Sequence, residues 1–216
     1  MLTRFQKTLA VILSLLGWFA LLAQLYLIVE NRNASIVETV IRYFSFFTIL
    51  TNLLVVVCCT ILLLKQGTKA WRFFSAPSTL TALAVYITVV GMVYNIVLRF
   101  LWDPQGLQFV VDELLHSVIP VLFIIFWLIS IKGVAISWKN IFPWMIYPLA
   151  YFIYILIFGA FSGFYPYPFI NVADLGYGKV LINSVLLLFG FFLLALFFVW
   201  IRKQVAGKAK HNLHIN

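Results

Sequence analysis

Charged residues are scarce in this sequence. They make up 10% of the 216 residues, whereas apolar residues make up 64%. A water-soluble domain carries about 25% charged and about 45–50% apolar residues. This number of charged side chains is too small to cover so large an apolar interior. The composition therefore excludes a soluble protein, and we expect the chain to be embedded in membrane lipids.

Acidic residues are the scarcest charged type, with six Asp and Glu against fifteen Lys and Arg. At about 20 residues per membrane crossing, six crossings and short connections account for the whole chain. No room remains for a nucleic-acid-binding domain. The net charge of +9 is therefore a signal of membrane topology, and we expect no nucleic-acid partner.

Cysteine is also rare, because Cys58 and Cys59 are the only two. Neighbouring residues on a helix point about 100° apart, so these two side chains do not pair readily in a disulfide. The two cysteines and three histidines lie in distant parts of the chain and do not show the ligand spacing of a Cys/His metal site. We expect neither a metal nor a cofactor.

Long apolar runs predict six transmembrane helices. Each run has about 19–25 residues, the length needed to cross a hydrocarbon layer of ~30 Å, and the short alternating segments of a barrel are missing. The sequence shows no linker or internal repeat. Residues 1–216 are thus expected to form one all-α domain, an integral membrane bundle of six transmembrane helices. The predicted spans are 8–29, 43–64, 77–101, 110–131, 143–161 and 179–201.

Basic residues divide unevenly between the two sets of connections. One set holds eleven basic residues and no acid, whereas the other holds four basic residues and all six acids. By the positive-inside rule the first set faces the cytoplasm. Six crossings also place the two termini on one side, so we expect both termini in the cytoplasm. The basic set is Arg4, Lys7, Lys65, Lys69, Arg72, Lys132, Lys139, Arg202, Lys203, Lys208 and Lys210.

Polar side chains within the predicted spans lie at one depth, in the outer half of the membrane. Such groups are costly in lipid and commonly serve a function. Because several helices contribute at the same depth, we expect an enclosed cavity that opens to the outer leaflet or to outer water. The layer comprises Gln24, Thr48, Thr51, Asn52, Asn95, Arg99, Asp112, Glu113, His116, Asn183 and Ser184.

His116 is the only histidine within a predicted span. Asp112 and Glu113 precede it by four and three residues, so both carboxylates can reach its ring. A carboxylate that accepts one ring N–H leaves the other nitrogen free to act as a base. Arg99 could neutralise one of the acids. The same residues could instead form a polar cluster that holds helices together.

Thr48 is the candidate nucleophile for that base. Threonine in a membrane helix often only bonds back to the carbonyl four residues earlier, and its spacing alone favours that interpretation. Ser45, Thr51 and Asn52, however, extend a polar stripe along the same helix face. A hydroxyl nucleophile needs an adjacent base, and His116 is the candidate base at that depth.

Three short motifs carry a resemblance to a known family. They are Phe46-Phe47-Thr48-Ile49 on span two, His116-Ser117-Val118-Ile119-Pro120 on span four, and Tyr167-Pro168-Phe169-Ile170 after span five. In their order, and in the helix spacing over nearly the whole chain, they resemble the androgen-induced / androgen-dependent TFPI-regulating protein family. The similarity is greatest to its bacterial six-helix relatives.

The animal members of that family are membrane-embedded hydrolases with a threonine nucleophile and a histidine, and they cleave fatty acid esters of hydroxy fatty acids. The resemblance implies Thr48 as nucleophile, His116 as general base, a lipid ester as substrate and a bacterial inner membrane as location. The animal proteins carry an acid within one turn after the threonine, where Thr51 and Asn52 stand here. Their histidine-to-proline spacing is also one residue longer. Both differences concern the substrate class.

The remaining polar residues of the layer are candidates for supporting roles. Asp112 or Glu113 would orient the His116 imidazole and stabilise its charged form, with Arg99 beside them. An oxyanion needs hydrogen-bond donors, and the candidates by depth are Asn52, Asn95 and Asn183.

Two other functions fit the same residue pattern. A small proton-coupled transporter would use the polar layer as its binding site, with His116 and the acids as a proton relay. The cytoplasmic halves of the spans, however, lack the polar residues that a continuous pathway requires. A non-catalytic lipid-binding membrane protein also fits. The sequence leaves the physiological ester and the oligomeric state open.

The predicted orientation can be measured with reporter fusions. Alkaline phosphatase is active only outside the cytoplasm, so a fusion after Asn216 should be inactive, because the positive-inside rule keeps that end in the cytoplasm. A fusion after Pro104, between spans three and four, is the matched control and should be active. The opposite pattern would reverse the topology.

Overall fold

The computed structural model describes residues 2–130 and 135–213, with side chains up to Ala206. Helices make up the fold, and no strand forms in either described range. The predicted number and order of spans are confirmed. Lys132, Lys208 and Lys210, which entered the charge count, lie outside the described side chains. The six segments long and apolar enough to cross a membrane are Arg4–Glu30, Phe47–Leu64, Pro77–Phe100, Gly106–Ser130, Trp138–Ser162 and Val172–Ala206.

Several spans contain a short irregular segment. A π-helical turn, Leu114–Val118, divides the fourth span, and the sixth is bent at Gly176, where φ is 74°. Short 3₁₀ turns cover Leu98–Phe100, Trp138–Asn140 and Pro168–Ile170. The α-helices are α1 (Arg4–Glu30), α2 (Ile36–Phe44), α3 (Phe47–Leu64), α4 (Lys69–Ser75), α5 (Pro77–Ile96), α6 (Gly106–Glu113), α7 (Ile119–Ser130), α8 (Ile141–Ser162) and α9 (Val172–Leu213).

Helix α5 lies at the centre of the bundle. It packs against α3, α7 and α9, and it is the most buried of the six spans. Helix α1 packs on α3 and α7, and α8 packs on α9. The outer faces carry large exposed apolar side chains, such as Leu22, Val121 and Phe161. Exposure on this scale is unfavourable in water and is expected of helices whose solvent is lipid.

Hydrogen bonds between helices identify one end of the bundle. Gln6 Nε2, near the start of α1, donates to the Ile129 carbonyl of α7 at 3.1 Å. Nearby on α7, Trp127 Nε1 donates to Thr81 Oγ1 of α5 at 3.0 Å, and Arg202 of α9 donates to the same oxygen at 3.4 Å. The start of α1 and this part of α9 therefore share one end, which we name the terminal end. The opposite end is the cavity end.

The second predicted span differs from the structure at its start. The chain breaks at Ser45–Phe46, so that α3 begins at Phe47 and Thr48 lies in its first turn. Tyr151 Oη donates to the Ser45 carbonyl at 2.8 Å, and Phe46 is an extended N-cap without a side-chain cap. The first N–H groups of a helix have no acceptor within that helix. The break thus places, at and beside Thr48, backbone N–H groups that have no acceptor within the helix.

The segment after α8 folds back onto the bundle. Gly163 ends α8 with a φ of 70° and donates its N–H to the Gly159 carbonyl at 2.8 Å. The ring of Tyr165 then covers Gly159, where an added Cβ would lie 2.1 Å from that ring. Glycine is therefore required at position 159, because a larger residue would displace this segment. The fold-back brings Tyr167 into the cavity end.

Candidate active site

A cavity of about 400 Å³ opens at the cavity end, and both Thr48 and His116 line it. Its walls come from α1, α3, the end of α5, α6, the π-helical turn and the segment before α9. Most of the lining is apolar or aromatic, including Ile49, Leu98 and Trp102. This volume and character are typical of small-molecule sites. A cavity is thus present, and Thr48 and His116, the two residues singled out from the sequence, both line it. Of the predicted polar layer, only Gln24 and Asp112 line it as well.

Thr48 contacts a tyrosine that the sequence analysis did not assign to the site. The Thr48 side chain is only 7% exposed. Its backbone N–H donates to Tyr167 Oη at 3.2 Å, and its Oγ1 lies 3.3 Å from the same oxygen. Burial raises the pKa of the Tyr167 phenol, which keeps its proton in place near neutral pH. Tyr167 Oη therefore accepts from the Thr48 N–H and keeps a proton that it can donate to a neighbouring oxygen.

Asn52 connects Thr48 to the segment that carries His116. Its Nδ2 donates to the Thr48 carbonyl at 2.9 Å and to the Leu115 carbonyl at 3.1 Å. The side chain is fully buried. Thr51, on the same stripe, instead contacts Tyr147 Oη at 3.2 Å. Asn52 thus fixes the position of α3 relative to the π-helical turn, and its donors point at backbone rather than at the cavity.

His116 lies at the centre of the π-helical turn. Its ring stacks on Tyr94, with centroids 3.9 Å apart and an interplanar angle of 12°. Its Nδ1 lies 2.9 Å from the backbone carbonyl of Asp112. A carbonyl can only accept, so Nδ1 carries the proton and Nε2 is the basic nitrogen.

Neither carboxylate orients the imidazole as the sequence predicted. Glu113 forms an ion pair with Arg99, and Asp112 Oδ1 accepts from Gln108 Nε2 at 3.0 Å. The backbone carbonyl of Asp112 takes the expected place of a carboxylate on the ring. The physical reason is the π-helical turn, because it interrupts the regular i→i−4 bonding on which the side-chain spacing argument depends.

Pro120 accounts for that turn. Proline has no N–H and its ring clashes with the carbonyl four residues earlier, which here is that of His116. The chain widens to relieve the clash, and Ile119 N–H bonds to the Leu114 carbonyl, five residues back. The His116 carbonyl is left without its usual helical donor.

Asn95 of α5 supplies the missing donor. Its Nδ2 lies 3.2 Å from the His116 carbonyl and 2.9 Å from the Gly91 carbonyl. Gly91 permits this approach, because a Cβ there would lie 3.1 Å from the same His116 oxygen. Gly91, Asn95 and Pro120 together determine how the backbone of His116 sits against α5.

Of the other predicted site residues, Asp112 lines the cavity, whereas the remaining five do not. These five are Asn52, Asn95, Arg99, Glu113 and Asn183. Arg99 also donates to Ser117 Oγ at 3.2 Å, and Asn183 Nδ2 donates to the Phe169 carbonyl at 2.8 Å. The amides of Asn52, Asn95 and Asn183 therefore all donate to backbone carbonyls. Their geometry does not support the oxyanion role that their depth suggested.

Sequence reasoning missed three residues that complete the site. Tyr167 was noted only as part of a motif, although its place in an aromatic, proline-rich stretch was a signal of an ordered segment. Gln108 precedes Asp112 by four residues, a spacing that predicts a helix-face contact. Tyr94 carried no signal, because stacking between helices depends on tertiary packing.

No family model, curated protein or solved structure matches the chain. The family resemblance therefore rests on the three motifs and remains a prediction. Among the residues that the structure describes, no three His, Cys, Asp or Glu side chains lie close enough together to hold a metal ion.

The role of Asn95 can be measured by a double-mutant cycle. Asn95→Ala should destabilise the protein by about 1–3 kcal/mol, because it leaves a buried carbonyl without a donor. In a Pro120→Ala background the new N–H at position 120 can bond the His116 carbonyl, so the same change should cost about 1 kcal/mol less. The free energies are obtained from unfolding curves of detergent-solubilised protein. If Asn95→Ala lowers the free energy of unfolding equally in both backgrounds, Asn95 is not the donor that replaces the missing helical bond.

Proposed function

We propose that the protein is a membrane-embedded hydrolase of lipid esters, with Thr48 as nucleophile and His116 as general base. The observation that carries the proposal is that both side chains line one largely apolar cavity of about 400 Å³. In the proposed orientation the termini are cytoplasmic and the cavity lies in the outer half of a bacterial inner membrane. A fatty-acyl ester would then enter from the outer leaflet.

The cavity walls suit an acyl chain on both sides of Thr48. A second, narrower cavity of about 40 Å³ shares Thr48, Leu98 and Tyr167 with the first, and its other walls are apolar or aromatic, including Val93 and Phe191. An ester carbonyl held at Thr48 would thus have apolar surface on either side. Because the acyl chain comes from lipid, which is as apolar as this lining, its binding depends on packing contacts rather than on removal of apolar surface from water.

In the proposed reaction, Thr48 Oγ1 attacks the ester carbonyl carbon while His116 Nε2 takes the hydroxyl proton. The imidazolium then donates that proton to the departing alcohol oxygen as the C–O bond breaks, which leaves the acyl group on Thr48. A water molecule attacks this acyl group with His116 again as base. The fatty acid leaves, and Thr48 regains its proton.

Asp112 supports this cycle through its backbone. The bond from His116 Nδ1 to the Asp112 carbonyl fixes the tautomer in which Nε2 is the free base. A neutral carbonyl stabilises an imidazolium less than a carboxylate does. We therefore expect a weaker general base than the one in a triad with a buried acid.

One rearrangement is required before attack. The Thr48 hydroxyl contacts Tyr167 Oη rather than His116, and a productive complex needs Oγ1 within about 2.6–3.2 Å of Nε2. In the proposed mechanism, the bound ester separates Thr48 from Tyr167 and the hydroxyl turns to His116. Catalytic hydrogen bonds commonly tighten in this way when substrate binds.

Tyr167 and the N-terminus of α3 are the proposed oxyanion donors. The Thr48 N–H lies in the first turn of the helix, where backbone donors and the helix dipole favour negative charge. Tyr167 Oη already lies at 3.2 Å from that N–H. When the ester carbonyl becomes negative, the phenol O–H and the Thr48 N–H would both donate to it.

Changes at the catalytic pair should be non-additive. Thr48→Ala should abolish covalent labelling by a fluorophosphonate probe, because no acceptor hydroxyl remains, whereas Thr48→Ser should retain it. His116→Ala should lower the labelling rate about 10²–10⁴-fold. In ester hydrolysis, where a residual rate can be measured, the double variant should be no slower than Thr48→Ala alone, because the two residues act as one unit.

The comparison requires variants that elute as monodisperse, folded protein in detergent. Ser162→Ala is the matched hydroxyl control, because Ser162 is exposed and bonds only near the end of α8. A transporter or a lipid-binding protein gives no covalent adduct in any variant. A folded Thr48→Ala protein that cleaves a long-chain ester as fast as the parent would refute the mechanism.

Tyr167→Phe isolates the proposed oxyanion donor. Loss of one such donor typically costs about 10²–10³ in kcat, and we expect that loss with little change in KM, because the phenol acts on charge that develops in the transition state. Tyr165→Phe is the control, since the Tyr165 ring packs on Gly159. An unchanged kcat in Tyr167→Phe would remove Tyr167 from the mechanism.

A further inference from the structure

One wall of the large cavity is polar and has no part in the proposed chemistry. Gln108 Nε2 donates to Gln24 Oε1 at 2.9 Å and to Asp112 Oδ1 at 3.0 Å. The three side chains come from α1 and α6, and all three line the cavity. We name Gln24, Gln108 and Asp112 the amide–carboxyl wall.

The Asp112 carboxyl is incompletely satisfied. The residue is 4% exposed, and its Oδ2 has no hydrogen-bond partner among the residues that the structure describes. Buried polar atoms nearly always have a partner. The catalytic scheme uses only the backbone carbonyl of Asp112, so it leaves Oδ2 without one. Oδ2 itself has almost no accessible surface, so a turn of the carboxyl about χ2, a soft torsion, is needed to bring it to the cavity. A hydrogen-bonding group of a ligand would then satisfy it.

The charge of the cavity restricts that ligand. No Lys or Arg belongs to its lining in the described part of the chain. Arg99 lies nearby but is engaged by Glu113 and Ser117. A carboxylate or phosphate on the ligand would therefore be buried without a counter-ion and would face Asp112. Burying an unpaired charge is strongly unfavourable, so the cavity disfavours anionic lipids.

Hydroxyl groups satisfy the amide–carboxyl wall in any protonation state. An ionised Asp112 accepts from a hydroxyl, and a protonated one donates to it. Both protons of Gln108 Nε2 are used within the wall, so the Gln108 carbonyl can only accept, whereas the Gln24 amide can donate. Asp112 and His116 are also one helical turn apart, about 5–6 Å along the axis. An alcohol whose leaving oxygen is at His116 would hold its neighbouring hydroxyls near Asp112.

We propose that the amide–carboxyl wall binds the free hydroxyls of a neutral polyol ester, so that the substrate is an acylglycerol rather than an ester with a free carboxylate or phosphate. That the bound ester is hydrolysed rests on the proposed hydrolase function, but the binding of polyol hydroxyls can be measured without catalysis.

The kinetic test compares esters with the same acyl chain. These are 1-oleoylglycerol, the oleoyl ester of a hydroxystearic acid, and the methyl ester of the latter, which lacks both the charge and free hydroxyls. We expect kcat/KM to fall in the order acylglycerol, methyl ester, free acid, with at least about tenfold between the first and last. Asp112→Leu should lower kcat/KM for the acylglycerol about tenfold more than for the methyl ester.

Gln24→Leu provides a second variant on another helix, in case Asp112→Leu does not fold, and it should shift the same ratio in the same direction. Asp112→Asn should keep much of the preference, because its amide still bonds to hydroxyls. A preference for the free acid, or an unchanged ratio in the folded Leu variants, would overturn the inference while leaving the hydrolase proposal intact.

The binding test needs no catalysis. Thr48→Ala protein is titrated with 1-O-octadecylglycerol, an ether that cannot be hydrolysed, and with stearate. Trp102 lies in the cavity lining, so occupancy is reported by the part of the tryptophan fluorescence change that a Trp102→Phe background lacks. We expect the ether to bind at least about tenfold more tightly than stearate, and we expect Asp112→Leu to remove that difference in affinity. If no ester is cleaved but the ether is preferred, the hydrolase proposal fails and the polyol site stands. Equal or tighter binding of stearate overturns the polyol site.

Discussion

The arrangement of His116 depends on the missing N–H of Pro120. Without that donor, and with the proline ring against the preceding turn, the chain cannot continue as a regular α-helix through His116. The π-helical turn that results places the imidazole on Tyr94 and its Nδ1 on the Asp112 carbonyl. The His116 carbonyl, which lacks its usual helical donor, then accepts a hydrogen bond from Asn95 Nδ2. The missing N–H of Pro120 thus determines which His116 nitrogen carries the proton, how the ring stacks on Tyr94 and how the His116 backbone contacts α5.

Thr48 depends on a comparable interruption. Helix α3 begins only at Phe47, because the Ser45 carbonyl bonds to Tyr151 and Phe46 is extended. The start of α3 therefore presents N–H groups that have no acceptor within the helix, and one of them, that of Thr48, donates to Tyr167 Oη. Had the second span continued from residue 43 as a single helix, the Thr48 N–H would have bonded inside the helix. Both candidate catalytic residues consequently lie where a helix departs from regularity.

That dependence explains which features the sequence predicted. The six spans follow from the length of apolar runs, a property of the solvent rather than of packing. The shared depth of Thr48 and His116 follows from counting residues along regular helices. The partner of His116 Nδ1 could not follow, since a spacing argument assumes the i→i−4 ladder that Pro120 breaks. Tyr167 and Tyr94 reach the site through tertiary packing, on which periodicity carries no information.

The packing beyond His116 bears on the choice between hydrolysis and transport. Toward the terminal end of α7, Phe123, Phe126 and Trp127 are almost wholly buried, and Trp127 is held to α5 through Thr81. Close-packed aromatic residues leave no room for a file of water or a moving solute. A carrier would have to unpack this part of the core in every cycle. A hydrolase needs no such path, because an ester and both of its products can exchange through the cavity that Thr48 and His116 line. The densely packed half then holds α5 and α7 in the register that Gly91, Asn95 and His116 require.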